Sequence, residues 1–292
     1  MEDNGDPLQT VSTYSGKLFW LNPPSGKTIN LENLKDELKD RTFQKNISEE
    51  FDLDDVVVPE IFERDGNMVR TTTTENVEII SYDGQEIISG SIMLDNIDKI
   101  TYRDQEILVL DTTTAKFAII KQDGFYYLCV LASRQLAETV IGIIRDDFPE
   151  IGSIINKTRL SSDAIGEIRN SLEATLMDTI ITDYDQNEIT QTRIQGEDYE
   201  GTRVYDQLDS GGSVKTHVFQ TDVLVPDDTK TVQIGRDGLV RIYSNATLQT
   251  YLLLLKDHVI PEVHRDVESS PSVSAWGEAT EGDSGSIFAD ST

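Results

Sequence analysis

The chain has 292 residues, enough for one large domain or two ordinary ones, and its 53 acidic and 25 basic residues give a formal net charge of −28. This charge disfavours nucleic acid as a partner, because phosphate contacts need lysine and arginine, and the apolar fraction of 37% argues against wholesale disorder. The acidic residues are scattered over every segment. This scatter favours a halophilic archaeon or its virus, where molar salt screens the self-repulsion of such a surface and where a small basic patch could still be hidden. The alternative is an ordinary acidic cytosolic protein.

The start of the chain, MEDNGDPLQT, shows no secretory signal, and the longest apolar runs are too short to span a bilayer. We therefore expect a cytoplasmic protein. Residues 1–15 are expected to form a disordered arm, and residues 16–60 a strand, a helix and an acidic link. Cys129 is the single cysteine and lies in an apolar run, which predicts a small core residue and neither disulfides nor a metal site.

The string NPPSGKT at 22–28 resembles the end of a phosphate-binding loop, because it lies between a predicted strand and a predicted helix at 29–40. Two prolines remove backbone N–H donors from the loop, and Leu21 stands where the first glycine of the motif belongs. Nucleotide binding is therefore kept as a further alternative function. Its contacts would come from Ser25, Gly26, Lys27 and Thr28.

Two stretches, 108–151 and 224–263, share one order of elements. Each has apolar strands joined by an Asp-Gly turn, which is a strong hairpin signal, and then an amphipathic helix. The turns lie at Asp123-Gly124 and Asp237-Gly238, and Ser133 and Asn245 are the expected N-caps of the two helices. Further strands are predicted at 77–82, 86–93 and 97–103, and a second helix at 161–177. The pattern predicts an α+β protein with an internally duplicated antiparallel unit, each copy closed by a C-terminal helix.

This element order resembles the split barrel of the pleckstrin-homology and GRAM-like families, with domains at 61–152 and 160–265. The resemblance implies two non-catalytic modules that bind peptides or lipids. Since the usual basic cluster near the first hairpin is missing, a protein partner is favoured over a lipid headgroup. The alternative is the duplicated saddle of TATA-binding proteins, which implies a nucleic-acid-binding regulator. Its candidate contacts surround the repeated hairpins and are Lys116, Lys121, Lys230, Arg236 and Arg241.

The segment 267–292 is rich in serine, glycine and acid and is expected to be a disordered tail. Its string GDSGS at 282–286 matches the surroundings of a protease serine. Only eight residues follow Ser284, too few for the strands of that fold, and none of the three histidines is placed as a base. We therefore expect no enzyme and no cofactor. The leading hypothesis is a protein-binding adaptor or assembly protein, and its expected contact residues are Trp276, Ile287, Phe288 and an outward-facing Tyr126.

Overall fold

Strand β1, Tyr14–Leu21, stands in the middle of a sheet and joins its two sides. It pairs antiparallel with β9, Phe125–Leu131, and with β15, Leu239–Ile242. The computed structural model describes residues 13–24, 27–49, 51–64, 67–82, 84–183, 190–196, 199, 202–203, 205, 212–263 and 288–290. Within these residues the sheet has fourteen strands, and it ends at β3, Thr42–Asn46, on one side and at β12, Gln191–Gln195, on the other.

The side of the sheet that begins at β9 is made of long antiparallel strands. They are β6, Asn67–Tyr82; β7, Gln85–Tyr102; and β8, Gln105–Gln122. Asp123 and Gly124 both have positive φ, as the predicted tight turn requires. The strands predicted at 86–93 and 97–103 are one strand, because the two polar residues between them, Asp95 and Asn96, form hydrogen bonds within the sheet. Asp95 accepts hydrogen bonds from the backbone N–H of Thr71, at 3.0 Å, and from its hydroxyl.

The side that begins at β15 is made of shorter strands. They are β11, Thr175–Thr182; β13, Ser213–Thr221; and β14, Lys230–Gly235, while β10, Ile155–Lys157, pairs with the end of β1. The expected two-residue turn at Asp237-Gly238 is a three-residue turn, since the Gly238 N–H donates to the Gly235 carbonyl at 2.9 Å. Gly238 has a φ of +79°, and a Cβ there would lie 2.7 Å from the Leu18 carbonyl oxygen. Only glycine therefore fits this turn against β1.

One face of the central strands is covered by three helices. They are α1, Leu31–Leu38; α2, Arg134–Asp147; and α3, Pro149–Ile154. Their apolar residues pack with Phe19 and Leu128 in one buried cluster. Ser133 caps α2 as predicted, because its hydroxyl accepts from the Leu136 N–H. α1 is shorter than the predicted 29–40 and begins after Asn30, whose side chain accepts from the Asn33 N–H at 3.1 Å.

The opposite face is covered by α4, Ser162–Ser171, and α5, Leu248–Leu254, which continues into a π-helical turn at Leu255–Val259. These helices share a second cluster with Leu18 and Tyr127, the neighbours in sequence of the residues that face α2. The N-cap of α5 is Thr247 and not the expected Asn245, because the Thr247 hydroxyl accepts from the Thr250 N–H at 3.1 Å. The central strands are therefore buried on both faces.

The far end of the β7–β8 hairpin carries a small core of its own. The segment that covers it contains two 3₁₀ turns, Ile47–Glu49 and Glu60–Phe62, and the short strands β4, Val56–Val57, and β5, Glu63–Arg64. Ile47, Phe62 and Leu108 are buried together there. β4 pairs with β8 in parallel, which ties this segment to the hairpin. The segment therefore covers one face of the hairpin end.

A second, two-stranded sheet joins residues far apart in the chain. β2, Lys27–Ile29, pairs antiparallel with β16, Phe288–Asp290, so that Phe288 lies opposite Ile29. The segment expected to be disordered therefore contains a short strand. β2 is fixed to the body of the protein, since the Ile29 side chain is buried and its carbonyl accepts a hydrogen bond from Tyr126.

The fold is mixed α+β with one large open antiparallel sheet, so the predicted class is confirmed. The strands of 67–131 and of 175–242 share this sheet through β1, and the described residues do not form two separate split barrels. Both repeated stretches contain a hairpin followed by a helix. The internal duplication and the domain division between 152 and 160 stay predictions.

Candidate functional site

Tyr126, the expected outward contact, is buried. Its side chain is 2% exposed, and its hydroxyl donates to the Ile29 carbonyl at 2.9 Å. The prediction assumed that alternate residues of β9 face solvent. It was wrong because α1–α3 cover the face that carries Tyr126, while α4 and α5 cover the other face, which carries Tyr127. Tyr126 therefore stabilises the fold and is closed to a partner.

The other expected contacts of the tail lie at the limit of what the structure describes. Trp276, Ile287 and the protease-like string at 282–286 lie outside the described residues. The backbone of Phe288 lies in β16 and pairs with Ile29. The tail segment 288–290 is thus seated on the chain's own strand β2.

The residues of the predicted phosphate loop are placed in or near β2. Ser25 and Gly26 lie outside the described residues, while Lys27 and Thr28 are in the strand. The Lys27 N–H donates to the Pro24 carbonyl at 3.0 Å. That backbone donor is engaged and is not available to a phosphate group.

The five cations expected to contact nucleic acid have unlike surroundings. Lys230 is buried, and its ammonium group donates to Asp228 and to the Asn245 carbonyl, so it supports the start of α5. Arg241 donates to the Tyr243 hydroxyl at 3.0 Å. Lys121 lies over the ring of Tyr126, and Lys116 is exposed on β8. Arg236 lies in the turn before β15 and pairs with Asp183. Because Lys230 is buried and engaged, it is not available to a phosphate group, and the nucleic-acid role of the other four residues stays a prediction.

The two described histidines differ in environment. His217 is buried in β13, and neither of its ring nitrogens has a hydrogen-bond partner. Burial, and then the charge of Arg169, lowers its pKa to about 3, so the ring is neutral at pH 7. Nδ1 of His258 lies 2.9 Å from Oγ of Ser171, which itself donates to the Ile168 carbonyl at the end of α4. His264 lies outside the described residues.

An exposed apolar surface lies on the far end of the β7–β8 hairpin. Ile100 and Tyr102 of β7, Val109 of β8 and Val57 of β4 form it, and we call these four residues the hairpin face. Their exposed fractions are 46%, 57%, 38% and 44%. The strand register places them together, because Ile100 pairs with Ile107, Asp98 pairs with Val109, and Val57 pairs with Ile107. Directly paired residues of neighbouring strands point to the same side of a sheet, and so do residues two apart in one strand. Tyr102 therefore shares the side of Ile100, Val109 shares the side of Ile107, and all four side chains lie on one side.

The opposite side of the same hairpin end is covered. Ile97, Leu108 and Leu110 point to that side and pack with the small core around Ile47 and Phe62. Lys99, on the same side, forms a salt bridge with Glu106. The hairpin end therefore has two apolar sides. Residues 47–62 bury one of them, and the other, the hairpin face, is exposed in the described structure.

The sequence contained a signal for the hairpin face, although none of its four residues was a predicted site residue. The alternation of Lys99, Ile100, Thr101 and Tyr102 is typical of a strand with one apolar side. This alternation did not show that the side with Lys99 is the covered one, because the segment that covers it, residues 47–62, lies far earlier in the chain.

The described residues contain no cluster of three histidine, cysteine, aspartate or glutamate side chains that could hold a metal ion. None of the helices in the described part of the chain is long and apolar enough to cross a bilayer. No protein-family model matches the chain, and no curated protein matches it.

Proposed function

We propose that this chain is a non-catalytic protein-binding subunit, an adaptor or assembly protein of a halophilic archaeon or its virus. The observation that carries the proposal is the hairpin face, an exposed apolar patch at the turn end of the β7–β8 hairpin. Exposed apolar patches of this kind mark interaction sites when they are rimmed by polar groups, and tyrosine is enriched at the centres of interfaces. Here Asp98, Arg103 and Asp104 surround the patch.

The salt of the proposed habitat favours such a contact. At molar ionic strength the Debye length falls to about 3 Å, so attraction between surface charges is largely screened. Burial of apolar surface does not depend on charge and remains effective under these conditions. For a chain with a net charge of −28, an apolar patch is therefore the surface feature best able to hold a partner.

Site-specific photo-crosslinking tests this proposal. Replacing Tyr102 with p-benzoylphenylalanine in full-length protein, expressed in a halophilic archaeon, should give one dominant adduct with a second polypeptide after irradiation. The matched control is the same replacement at Tyr243, which follows β15 and is also exposed, at 42% against 57% for Tyr102. No adduct at position 102, or the same adducts from both positions, would contradict a protein contact at the hairpin face.

The tail is the second proposed contact, through Trp276, Ile287 and Phe288. A 1–266 truncation separates it from the hairpin face in the same crosslinking assay. Adducts at position 102 that survive the truncation would assign the contact to the hairpin face. Adducts that disappear would assign it to the tail.

The proposed habitat has its own test. Self-repulsion of a highly charged surface destabilises the folded state at low salt. The thermal midpoint of unfolding should therefore rise steadily when KCl is raised from 0.1 to 3 M. A flat dependence would contradict adaptation to molar salt.

We also propose that the stretches 108–151 and 224–263 descend from one duplicated unit of the pleckstrin-homology type. The shared order of hairpin and helix supports this proposal. Independent folding of fragments 61–152 and 160–265 into monomers would support it. Because both fragments lack β1, a peptide with residues 13–24 is added to each, and aggregation of both fragments in its presence would contradict the proposal.

A further inference from the structure

A concave pocket of about 510 Å³ lies where the two sides of the sheet meet, away from the hairpin face. Arg134 at the start of α2, Arg159 in the loop after β10, Lys215 on β13 and Arg236 in the turn after β14 all line it. They come from four segments far apart in sequence. The volume lies within the range of about 300 to 1,000 Å³ that is typical of small-molecule sites.

The charge of this pocket is opposite to that of the chain. The chain has about twice as many acidic as basic residues, yet the described residues that line the pocket include four cations and two carboxylates, Asp183 and Asp237. Among these described lining residues the cations exceed the carboxylates by two. Lining threonines and Gln191 add hydroxyl and amide groups that can bind the neutral part of a ligand.

The two carboxylates are already engaged. Asp237 accepts from Arg134 through Oδ1, at 2.9 Å, and from Lys17 through Oδ2, at 3.0 Å. Asp183 accepts from Arg236 through Oδ2 at 2.5 Å. These pairs fix the two arginines in place and leave other guanidinium N–H groups to donate elsewhere.

The remaining two cations have no such partner. Within the described residues, the side chains of Arg159 and Lys215 are neither ion-paired nor hydrogen-bonded. Like charges close together repel, and a bound anion would remove this repulsion. The pocket also lies beside the N-terminus of α2, a helix of fourteen residues whose dipole favours negative charge there.

We propose that this pocket binds a small organic molecule that carries a phosphate group, with Arg159 and Lys215 as its principal anchors. A phosphate monoester carries about −1.5 to −2 charges at pH 7, which matches the excess of two cations among the described lining residues. The pocket is larger than a phosphate ion, so it also has room for an organic part. A concave site of this size fits a compact ligand and not the extended backbone of a nucleic-acid duplex.

Isothermal titration of the full-length protein at pH 7.5 and 1 M KCl, a salt concentration at which the acidic chain is expected to be folded, tests the proposal with three probes. Ribose 5-phosphate should bind saturably at one site per chain, ribose should not bind, and inorganic phosphate should bind more weakly than ribose 5-phosphate. Absence of saturable binding by both phosphate probes would overturn the proposal. Equal affinity for inorganic phosphate and ribose 5-phosphate would overturn the organic part of it.

Charge-removing variants test the anchors. Arg159→Gln and Lys215→Gln should each weaken the binding of ribose 5-phosphate at least about tenfold, the effect of one lost charge-assisted hydrogen bond. Lys116→Gln is the matched control, because Lys116 on β8 is exposed and its side chain has no partner among the described residues. It should stay within about twofold of wild type, since it removes the same charge outside the pocket. Equal weakening by all three variants would show a general field effect and would overturn the proposal.

Both anchors are at the surface, so these variants should fold. Unchanged far-UV circular dichroism and unfolding midpoints without ligand check this. Arg159→Lys keeps the charge and should recover part of the affinity. Full affinity in the double variant Arg159→Gln, Lys215→Gln would place the ligand elsewhere on the chain.

Discussion

The two sides of the sheet differ in how they are held together. On the β9 side, strands of 16 to 18 residues enclose an almost wholly apolar core, in which Thr72 and Thr74 are the buried polar residues among those described. On the β15 side, strands of 4 to 9 residues lie among buried polar and charged groups. These groups are Arg169, Asp178, Thr179, Thr216, His217, Thr221, Lys230 and Glu262.

The difference shows how two kinds of surface can coexist in one fold. Long strands with an apolar core can extend beyond their helices, and the hairpin face stands on such an extension. Short strands joined by turns bring charged side chains from several segments to one place, as in the phosphate pocket. Buried polar groups cost free energy unless they are satisfied, so the β15 side should depend more on pH and on specific pairs.

The largest effect should come from the apolar core of the β9 side. Phe117 is 2% exposed and its ring covers Gly90 on the neighbouring strand, so Phe117→Ala leaves a cavity and a bare glycine. We expect a loss of about 4 kcal/mol in the free energy of unfolding. Urea titration at constant KCl measures it. Thr114→Ala, an exposed position on the same strand, should change stability by less than about 0.5 kcal/mol. A Phe117→Ala loss below about 1 kcal/mol would refute the apolar description of this side.

A smaller loss is expected where the two sides meet. Lys17 on β1 is 3% exposed, and it joins Glu138 of α2 to Asp237 of the turn before β15. Lys17→Met leaves both carboxylates without this cation. They are partly exposed and keep some hydration, so we expect a loss of about 2 kcal/mol, below the range for fully buried pairs. Lys99→Met removes a surface salt bridge with Glu106 and should lose less than about 1 kcal/mol in the same urea assay. Equal losses would contradict a special role for Lys17.

The pH dependence should separate the two sides further. Because His217 has a pKa of about 3 in the folded protein and an ordinary value of 6.5 when unfolded, the unfolded chain binds the extra proton between these values. The free energy of unfolding should therefore fall as pH falls through this window, by up to about 1.4 kcal/mol per pH unit. Urea titrations between pH 7 and pH 5 should show a shallower slope for His217→Leu. The pKa of the half-buried His258 is also lowered, and His258→Gln should change the slope less. Identical slopes for wild type and His217→Leu would contradict a neutral, buried His217.

The smallest effect is expected at Cys129, in the strand shared by both cores. Burial raises the pKa of this thiol to about 12, so the reactive thiolate is scarce and shielded. The native protein should not react with Ellman's reagent over hours at pH 8, and one thiol per chain should react in 8 M urea. Rapid reaction in native buffer would show that the centre of the sheet opens readily.

The sequence predicted the features that depend on neighbouring residues. The Asp123-Gly124 turn, the Ser133 cap and the buried Cys129 follow from turn chemistry, capping and hydrophobicity, and the structure confirms them. The burial of Tyr126 was missed because period-2 alternation does not reveal whether a second helical layer covers the outer side. The position of β1 between β9 and β15 was missed, because pairing between strands far apart in the chain leaves no local sequence pattern. The pocket was missed for the same reason, because its four cations come from segments far apart in the chain. Only one of them, Arg236, was a predicted site residue.

The position of β1 also determines when the sheet can be completed. Tyr14 pairs with Ile242, so nearly the whole described chain lies between these partners. During synthesis β1 emerges long before β15, and it can pair with β9 well before its other edge is covered. Non-local pairing of this kind slows folding, and an unpaired edge strand promotes aggregation. A nascent chain should therefore pass through a stage in which one edge of β1 is open, and it should need protection until the last strands have been made.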